Sequence, residues 1–366
     1  MRKSLLIPTT IILLVVVFAT AYLIYQNQSI EGGSITVTDA LDRTVNIERP
    51  IKRVIITGKG SWPIITVAYM FPNAKNLLYA ISSSINVSLF RMIDPNITSK
   101  MVTTPAEELS AEELAKMEPD VVILKSTMKE LGDLLESLKI KVVYVDFENL
   151  DTYLRDIRVL GKIFMNETRA EEIANYYNTT YHYVLSQIPA EIKREKVLLL
   201  YYNTKGGTVS FQVPGRGWLQ TFMIETAGGH PLSEELLGTG WNPVSFEQIA
   251  NWNPDIIFVV TYSKSPTASD VKNWLLNDAS WSQISAVKNG KVYAVPHDCN
   301  NVAALGSWDC PGSRWIIGLK WMAKKINPHL FENLDIANEA KVFYMEMYDL
   351  DEYEANAVVN EISGDL

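Results

Sequence analysis

The chain has 366 residues, of which 47% are hydrophobic and 20% charged, and its formal net charge is −9 at pH 7. This length suits two lobes of common size better than one ordinary core. The negative charge, with no run of lysine and arginine, argues against nucleic acid as a partner, because phosphate binding needs a basic surface.

The N-terminus begins with a basic pair, Arg2 and Lys3, followed by an apolar run from Leu5 to Tyr25. This run is about as long as a helix that crosses the hydrocarbon core of a membrane. A cleaved secretory signal has a shorter apolar region, and here the apolar residues continue past the candidate cleavage site at Ala19 to Ala21. We favour the interpretation that residues 1–33 form an uncleaved signal-anchor and tether, with the rest of the chain outside the cytoplasm. A cleaved signal and a secreted chain are the alternative.

Residues 34–149 alternate between short apolar strands, such as RVIIT and KVVYVD, and helical segments. Such alternation predicts an α/β lobe with a parallel sheet. Residues 150–188 break the pattern, because apolar residues recur there at helical spacing, and we expect two long connecting helices. Alternation resumes over 189–330, beginning with KVLLLYY, and predicts a second lobe, while residues 331–366 form a helical tail. Ligands of parallel sheets bind beyond the carboxyl ends of the strands, so we expect the two lobes to face a common cleft.

One segment of the chain occurs twice. SAEELAKMEPDVVIL at 110–124 and SFEQIANWNPDIIFV at 245–259 align without a gap at an offset of 135 residues. Each copy begins with a serine that can cap a helix, and each helix has to end near the Pro-Asp pair. An apolar strand follows in both copies. The repeat therefore marks two similar lobes.

These two units resemble segments of one known family. Three further segments carry the same resemblance, in chain order: TVTDALDRTVNIERPIKRVI, ETAGG and NGKVYAVP. The sequence is similar to the solute-binding proteins of ABC importers, in the helical-backbone class that serves iron-siderophores, haem and vitamin B12. The resemblance covers roughly residues 34–330. It implies a monomer with two parallel-sheet lobes, a long rigid helix that joins them and a ligand cleft between them. Its partners would be an ABC permease and the ATPase of that permease; no catalytic residue, resident cofactor or metal is implied.

The resemblance also suggests a role for the repeated glutamates. In this family each lobe offers one acidic residue to the permease, and the matching positions are Glu112 and Glu247, each seven residues before its Pro-Asp pair. The alternative is an ordinary solvated carboxylate that the helix dipole favours in the first turn.

Candidate ligand-lining residues follow the predicted strand ends or, for the last loops, the family pattern. Tryptophan and tyrosine offer wide apolar faces with a polar edge, and arginine offers a planar fork for oxygen atoms. We therefore expect a large anionic or neutral metal chelate, such as an iron-siderophore, haem or a cobalamin-like molecule. For each residue alone, a place in the core is the competing interpretation. The candidates are Lys59, Trp62, Lys125, Tyr202, Arg216, Trp218, Trp241, Tyr262, His297, Trp308 and Arg314.

Four histidines make a bare metal site less favoured, although His297 with Asp298 is a candidate axial contact to haem. Two cysteines, Cys299 and Cys310, lie in one loop-like stretch. In an exported protein we expect them to form a disulfide, with free thiols or a metal site as the alternatives.

A surface-anchored α/β enzyme, or a sensor that uses the same fold without transport, is the competing function. The sequence has no G-x-S-x-G elbow, no P-loop and no G-x-G-x-x-G motif after a strand. The absence of these motifs favours a binding protein over an enzyme.

Overall fold

A computed structural model of the chain describes residues 32–81, 88–102, 109–205, 208–236, 240–298 and 306–366. The predicted signal-anchor falls almost entirely outside these residues, and so does Cys299. Within the described ranges, no helix has both the length and the apolar character needed to cross a membrane.

The first lobe contains a four-stranded parallel sheet behind an antiparallel hairpin. The hairpin pairs β1 (Ser34–Thr38) with β2 (Thr44–Glu48), and every second side chain of each strand is buried. The sheet has the order β4-β3-β5-β6. Its strands are β3 (Val54–Ile56), β4 (Leu78–Ile81), β5 (Val121–Lys125) and β6 (Val142–Val145). Its helices are α1 (Trp62–Ala68), α2 (Ala74–Leu77), α3 (Ser88–Ile93), α4 (Ile97–Lys100), α5 (Ala111–Ala115) and α6 (Lys129–Ser137).

Two long helices follow the first sheet, as the helical spacing predicts. They are α7 (Leu150–Ile163) and α8 (Glu167–Gln187). Asn149 begins α7, where its side chain accepts a hydrogen bond from Thr152 N at 3.0 Å, and Asn166 caps α8 in the same manner. Polar side chains that satisfy the first free N–H groups explain why each helix begins where it does.

The second lobe contains a mixed sheet with the order β10-β8-β7-β11-β12, in which β9 also pairs with β7. Its strands are β7 (Lys196–Lys205), β8 (Thr208–Pro214), β9 (His230–Pro231), β10 (Trp241–Val244), β11 (Ile256–Val260) and β12 (Val292–Ala294). The expected parallel sheet is found among β9, β7, β11 and β12. Strand β8 is antiparallel to β7, because the two residues between them are too few for a crossover, and β10 is antiparallel to β8.

Helices flank this sheet and continue into the tail. Those of the lobe are α9 (Leu219–Thr226), α10 (Phe246–Trp252), α11 (Ala268–Asn277), α12 (Ser285–Lys288) and α13 (Trp315–Ile326). The tail forms α14 (Ile336–Tyr348) and α15 (Glu352–Asn360). The tail reaches lobe one as well as lobe two, since Ser88 Oγ at the start of α3 donates to Glu361 Oε1 at 2.8 Å.

Both copies of the repeated segment have the predicted helix cap. Ser110 Oγ accepts from Glu113 N at 3.3 Å, and Ser245 Oγ accepts from Gln248 N at 3.2 Å. Helices α5 and α10 therefore begin at matching positions, and each is followed by a fully buried strand, β5 or β11.

The two lobes share one hydrophobic core. A continuous set of buried contacts runs from Val54 and Val143 in the first sheet, through Ile157 and Tyr177 on the connecting helices, to Phe258 in the second sheet. The far face of each sheet packs against a smaller cluster of its own. Because the shared core also includes α13 and α14, moving one lobe against the other would separate buried apolar surfaces.

Candidate functional site

A cavity of about 1050 Å³ lies between the two lobes and is lined by residues of both. Most of the lining follows the carboxyl ends of strands: Lys125 and Asp146 come from β5 and β6, and Tyr262 comes from β11. This is the place where α/β sheets bind ligands, because the loops there converge at one edge. The expected cleft between the lobes is therefore present.

Seven of the eleven predicted lining residues lie on this cavity. They come from both lobes and include three tryptophans, one tyrosine and three cationic side chains. These residues are Lys59, Trp62, Lys125, Arg216, Trp218, Trp241 and Tyr262. Their role as ligand contacts remains a prediction.

Tyr202 is corrected, because it lies on the opposite face of the second sheet from the cavity. Its ring packs against Phe211 at 6.0 Å and Trp274 at 5.9 Å between ring centroids. Side chains alternate between the two faces of a strand, so its neighbour Tyr201 faces the cavity instead.

Trp308 and Arg314 are also corrected, because both are buried away from the described lining, with 0% and 1% of their surface exposed. Arg314 Nε donates to Asp298 Oδ2 at 2.9 Å, and Tyr344 Oη donates to the same oxygen at 2.5 Å. The tail helix α14 supplies Tyr344, so the tail covers a region that the family pattern places at the cleft.

His297 lies next to this buried region, is half-buried and does not line the cavity. Its backbone pairs with Ser363 and with Ser307 in short bridges. Its neighbour Asp298 forms the ion pair with Arg314. The predicted pair of His297 and Asp298 is therefore held by backbone bridges and an ion pair outside the cavity lining, away from the position that an axial haem ligand would need.

Four rings form an aromatic wall on the lobe-two side of the cavity: Tyr201, Trp218, Trp241 and Tyr262. Trp241 lies at the centre, with ring centroids 5.0 Å from Tyr201, 5.4 Å from Trp218 and 5.8 Å from Tyr262. The planes of these three rings make angles of 56° to 72° with the plane of Trp241, so the aromatic wall is angled instead of flat. Such a surface offers large apolar contact to a flat or bulky ligand.

A buried carboxyl group supports the aromatic wall from behind. Asp309 is fully buried and accepts hydrogen bonds from Tyr262 Oη, from Ser307 Oγ at 2.5 Å and from Gln220 Nε2 at 3.2 Å. Burial raises the pKa of Asp309 against the effect of these donors. Burial, and then the negative charge of Asp309, raise the pKa of Tyr262 well above its ordinary value. Tyr262 also has a φ of 50°, a backbone conformation that is costly for a bulky residue.

Charged side chains lie mainly on the lobe-one side. Lys125 Nζ contacts Glu148 Oε1 at 2.9 Å and also donates to the carbonyl oxygen of Asp146. Lys59 and Arg216 are exposed, and Arg216 Nε donates to the carbonyl oxygen of Glu234 at 3.0 Å. The cavity thus combines an apolar wall with cationic groups that can approach an anionic ligand.

Cys310 lies on the cavity and is buried, with its Sγ 3.9 Å from Asp309 Oδ1. Burial, and then the charge of Asp309, raise the pKa of its thiol. Among the described residues Cys310 forms no disulfide. Its predicted partner Cys299 lies outside them, so the pairing remains a prediction.

The repeated glutamates lie away from the cavity. Glu112 and Glu247 are exposed in the first turns of α5 and α10. Hydrogen bonds from its own backbone N–H and from Ser245 lower the pKa of Glu247. Both side chains are therefore available to a partner, and Glu247 is stabilised in its charged form.

Several residues that the sequence did not single out also line the cavity, from the loop after β6, from β7 and from α9. They include Glu148, Asn149, Tyr201 and Gln220, all on the cavity. For Asp146 and Glu148 a signal existed in the sequence, because both lie in the short segment that follows the strand KVVYV.

Comparison with known proteins places this geometry in a family. The sequence matches the family model described as periplasmic binding protein over residues 82–299. The molybdate-binding protein MolA of Haemophilus influenzae is 23% identical over 340 residues, which cover 85% of this chain and 90% of MolA. The high-affinity heme uptake system protein IsdE of Staphylococcus aureus is 26% identical over 195 residues, which cover 51% of this chain and 63% of IsdE.

Solved structures agree. A periplasmic solute-binding protein from Veillonella parvula superimposes with a TM-score of 0.70 at 26% identity, covering 90% of this chain and 97% of that one. Molybdate-bound MolA, described as the cognate binding protein of an ABC transporter, superimposes with a TM-score of 0.65 at 19% identity and covers 87% of this chain and 98% of MolA; it shares the fold. Because the family model matches more than half of the sequence, the chain belongs to the periplasmic binding protein family and is a solute-binding protein, as the resemblance implied.

Proposed function

We propose that this protein is the extracytoplasmic receptor of an ABC importer, and that it binds a metal chelate in the cavity between its lobes. The observation that carries the proposal is the cavity itself, with a volume of about 1050 Å³ and an aromatic wall along one side. This volume is at the upper end of small-molecule sites and suits a chelate the size of a siderophore, haem or a cobalamin.

The charges of the cavity favour ligands with oxygen donors. Lys59 and Arg216 are exposed at the cavity and can contact carboxylate, phenolate or hydroxamate oxygens on the rim of a chelate. The rings of Trp218 and Trp241 would contact the organic part of the same molecule. One chelate can therefore use both sides of the cavity.

Molybdate is a second candidate cargo, because the molybdate-binding protein MolA is similar to this chain over 85% of this chain's length. A small tetrahedral anion would bind near Lys59, Lys125 or Arg216 and leave most of the aromatic wall without a contact. The size of the cavity favours the chelate.

The delivery step would use the two repeated glutamates. Glu112 and Glu247 are exposed at matching positions of the two lobes, and each lies next to a serine-capped helix start that fixes its position. A permease with two basic pockets would accept them as a pair. Residues 1–33 would tether the receptor to the membrane that holds the permease.

A binding panel tests the cargo. The full chain is purified in detergent, examined by native mass spectrometry and absorbance for a co-purified chelate, and titrated with an iron(III) siderophore, haemin, cyanocobalamin and molybdate. We expect a chelate to bind and to quench tryptophan fluorescence, since Trp62, Trp218 and Trp241 line the cavity. Tight binding of molybdate alone, or of an uncharged sugar alone, would contradict the proposal.

A further inference from the structure

The loop after β6 holds one side chain rigidly against the cavity. Asp156 on α7 is fully buried, and its Oδ2 accepts hydrogen bonds from Asp146 N at 2.6 Å and Phe147 N at 3.1 Å. Phe147 is itself buried and has a φ of 65°. The backbone directly before Glu148 is therefore fixed by the two hydrogen bonds to Asp156.

Glu148 reaches from lobe one to lobe two. One carboxylate oxygen, Oε1, contacts Lys125 Nζ at 2.9 Å within its own lobe. The other oxygen, Oε2, accepts a hydrogen bond from Leu219 N at 3.3 Å, at the first residue of α9 in the opposite lobe. The N-cap residue of that helix, Trp218, makes no side-chain capping hydrogen bond. Glu148 thus provides the negative charge that the start of α9 attracts.

The side chain of Gln220, in the same turn, uses only part of its hydrogen-bonding capacity among the described residues. Gln220 lies on the cavity and is only 2% exposed. Its Nε2 donates to Asp309 Oδ2 at 3.2 Å, while its Oε1 is buried and has no hydrogen-bond partner among the described residues. A buried acceptor without a donor is costly, so the first turn of α9 is completed by something other than the protein's own described groups.

We propose that Glu148 is a built-in competitor for an anionic oxygen of the cargo, which binds at Leu219 N and Lys125 by displacing the Glu148 carboxylate. The ligand chemistry is a carboxylate, phenolate or similar anionic oxygen, with a neighbouring N–H or O–H group that Gln220 accepts after a small side-chain rotation. The inference rests on the proposed function, because it assumes that the cavity holds the cargo. Glu148 is then a specificity-determining residue: an anionic ligand has to displace it, whereas a neutral ligand does not.

Hydrogen–deuterium exchange of the full chain tests the competition without any chelate. In Glu148→Gln, we expect the peptide covering Trp218–Thr226 to exchange about tenfold faster at its N-terminal end, the size expected for losing one charge-assisted hydrogen bond. Millimolar molybdate or sulfate should slow this exchange again in Glu148→Gln and have less effect on the wild type. Equal exchange in the two proteins, or no response of the variant to either anion, would overturn the proposal.

Two matched variants separate local competition from a general change of charge. Asp146→Asn removes a carboxylate from the same cavity without touching Leu219 N, and should leave exchange of the 218–226 peptide unchanged. Glu130→Gln removes an exposed carboxylate elsewhere on lobe one and is the control for net charge. If either variant reproduces the effect of Glu148→Gln, the contact to Leu219 N is not its cause.

A pair of chelates tests the specificity. An anionic iron(III) tris-catecholate and a neutral iron(III) tris-hydroxamate carry the same metal but differ in charge. We expect Glu148→Gln to raise affinity for the anionic chelate about tenfold and to change affinity for the neutral one less than about twofold. Equal changes, or weaker binding of the anion, would contradict the competition. If neither protein binds any chelate, the proposed cargo is wrong. The exchange experiment still decides whether Glu148 competes with an anion at Leu219 N.

Discussion

Asp120 and Asp255, the aspartates of the two Pro-Asp pairs, make equivalent hydrogen bonds in the two lobes. Asp120 Oδ2 accepts from Arg53 N at 2.8 Å, and Asp120 N donates back to the carbonyl oxygen of Arg53 at 2.9 Å. Asp255 Oδ2 accepts from Lys196 N at 2.9 Å, and Asp255 N donates back to the carbonyl oxygen of Lys196 at 2.8 Å. Each aspartate therefore joins the start of its own strand to the start of the neighbouring central strand, β3 or β7.

Removing this contact should weaken the lobe without touching the cavity. We expect Asp255→Ala to lower the free energy of unfolding by about 2 kcal/mol, because a charged acceptor is lost and Lys196 N is left without it. Asp255→Asn keeps an acceptor oxygen and should lose less. Urea unfolding measures both variants, and equal losses in the two would show that the hydrogen bond is not the source of the stability.

For the ion pair of Arg314 and Asp298 we predict a larger loss in the free energy of unfolding. Both side chains are nearly fully buried, so Arg314→Leu removes the cation that pairs with the buried Asp298 carboxylate, which keeps its hydrogen bond from Tyr344 Oη. We expect a loss of about 3–5 kcal/mol, seen as a clear drop in Tm. The double variant with Asp298→Asn should recover part of this loss. A single variant with an unchanged Tm would contradict the prediction.

Neighbouring tyrosines provide a matched pair for the cavity. Tyr201→Ala removes a ring from the aromatic wall, so it should weaken chelate binding about tenfold and also cost stability through the lost packing against Trp241 and Tyr262. Tyr202→Ala removes packing against Phe211 and Trp274 on the other face and should cost about 2–3 kcal/mol of stability while leaving affinity unchanged. Titration calorimetry and thermal unfolding of both variants measure the two effects. The opposite pattern would mean that the cavity is not the binding site.

The buried carboxyl of Asp309 predicts a pH dependence of stability. Because burial raises its pKa in the folded protein, the folded chain holds this proton more tightly than the unfolded chain does. The stability linked to this proton is present below the ordinary pKa of 3.8 and is lost as pH rises through the folded value. Asp309→Asn has no titrating carboxyl group at this position, so its stability carries no such pH dependence. The wild type should therefore lose stability relative to the variant as pH increases above about 3.8, and urea unfolding at several pH values measures this. A difference that grows in the wild type's favour would contradict it.

Charge reversal tests the proposed docking pair. We expect Glu112→Arg with Glu247→Arg to abolish cargo uptake in cells, because two basic pockets would then face two arginines, while chelate binding to the purified receptor stays unchanged. Glu130→Arg with Glu235→Arg changes two other exposed glutamates by the same charge and is the control. Normal uptake by the first double variant, with the receptor folded and present at normal levels, would exclude the docking role.

The sequence predicted the two lobes, the connecting helices and seven residues of the cavity lining, for identifiable reasons. Strand–helix alternation and the repeat at Ser110 and Ser245 give two lobes, and the rule that ligands bind beyond strand ends finds Lys125 and Tyr262. The hairpin of β7 and β8 was missed, although Gly206 and Gly207 between two strand-forming segments are a typical signal of a tight turn.

The remaining errors arise from contacts between distant segments. Strand β7 is apolar on both faces, so sequence alternation does not tell whether Tyr201 or Tyr202 faces the cavity. Trp308 and Arg314 follow the family pattern, but in this chain Tyr344 of the tail packs on the same region. Asp309 collects donors from Gln220, Tyr262 and Ser307, which lie on three separate parts of the chain, and no spacing in the sequence indicates that they meet.

The core that runs through both lobes has a mechanical consequence. A receptor built in this way does not trap its cargo by closing, since closure or opening would pull apart buried contacts between β3, the connecting helices and β11. Contacts at the cavity alone then set how long the cargo stays bound. A transporter that spreads the lobes to remove the cargo has to do work against the shared core, and nucleotide hydrolysis is the available source of that work.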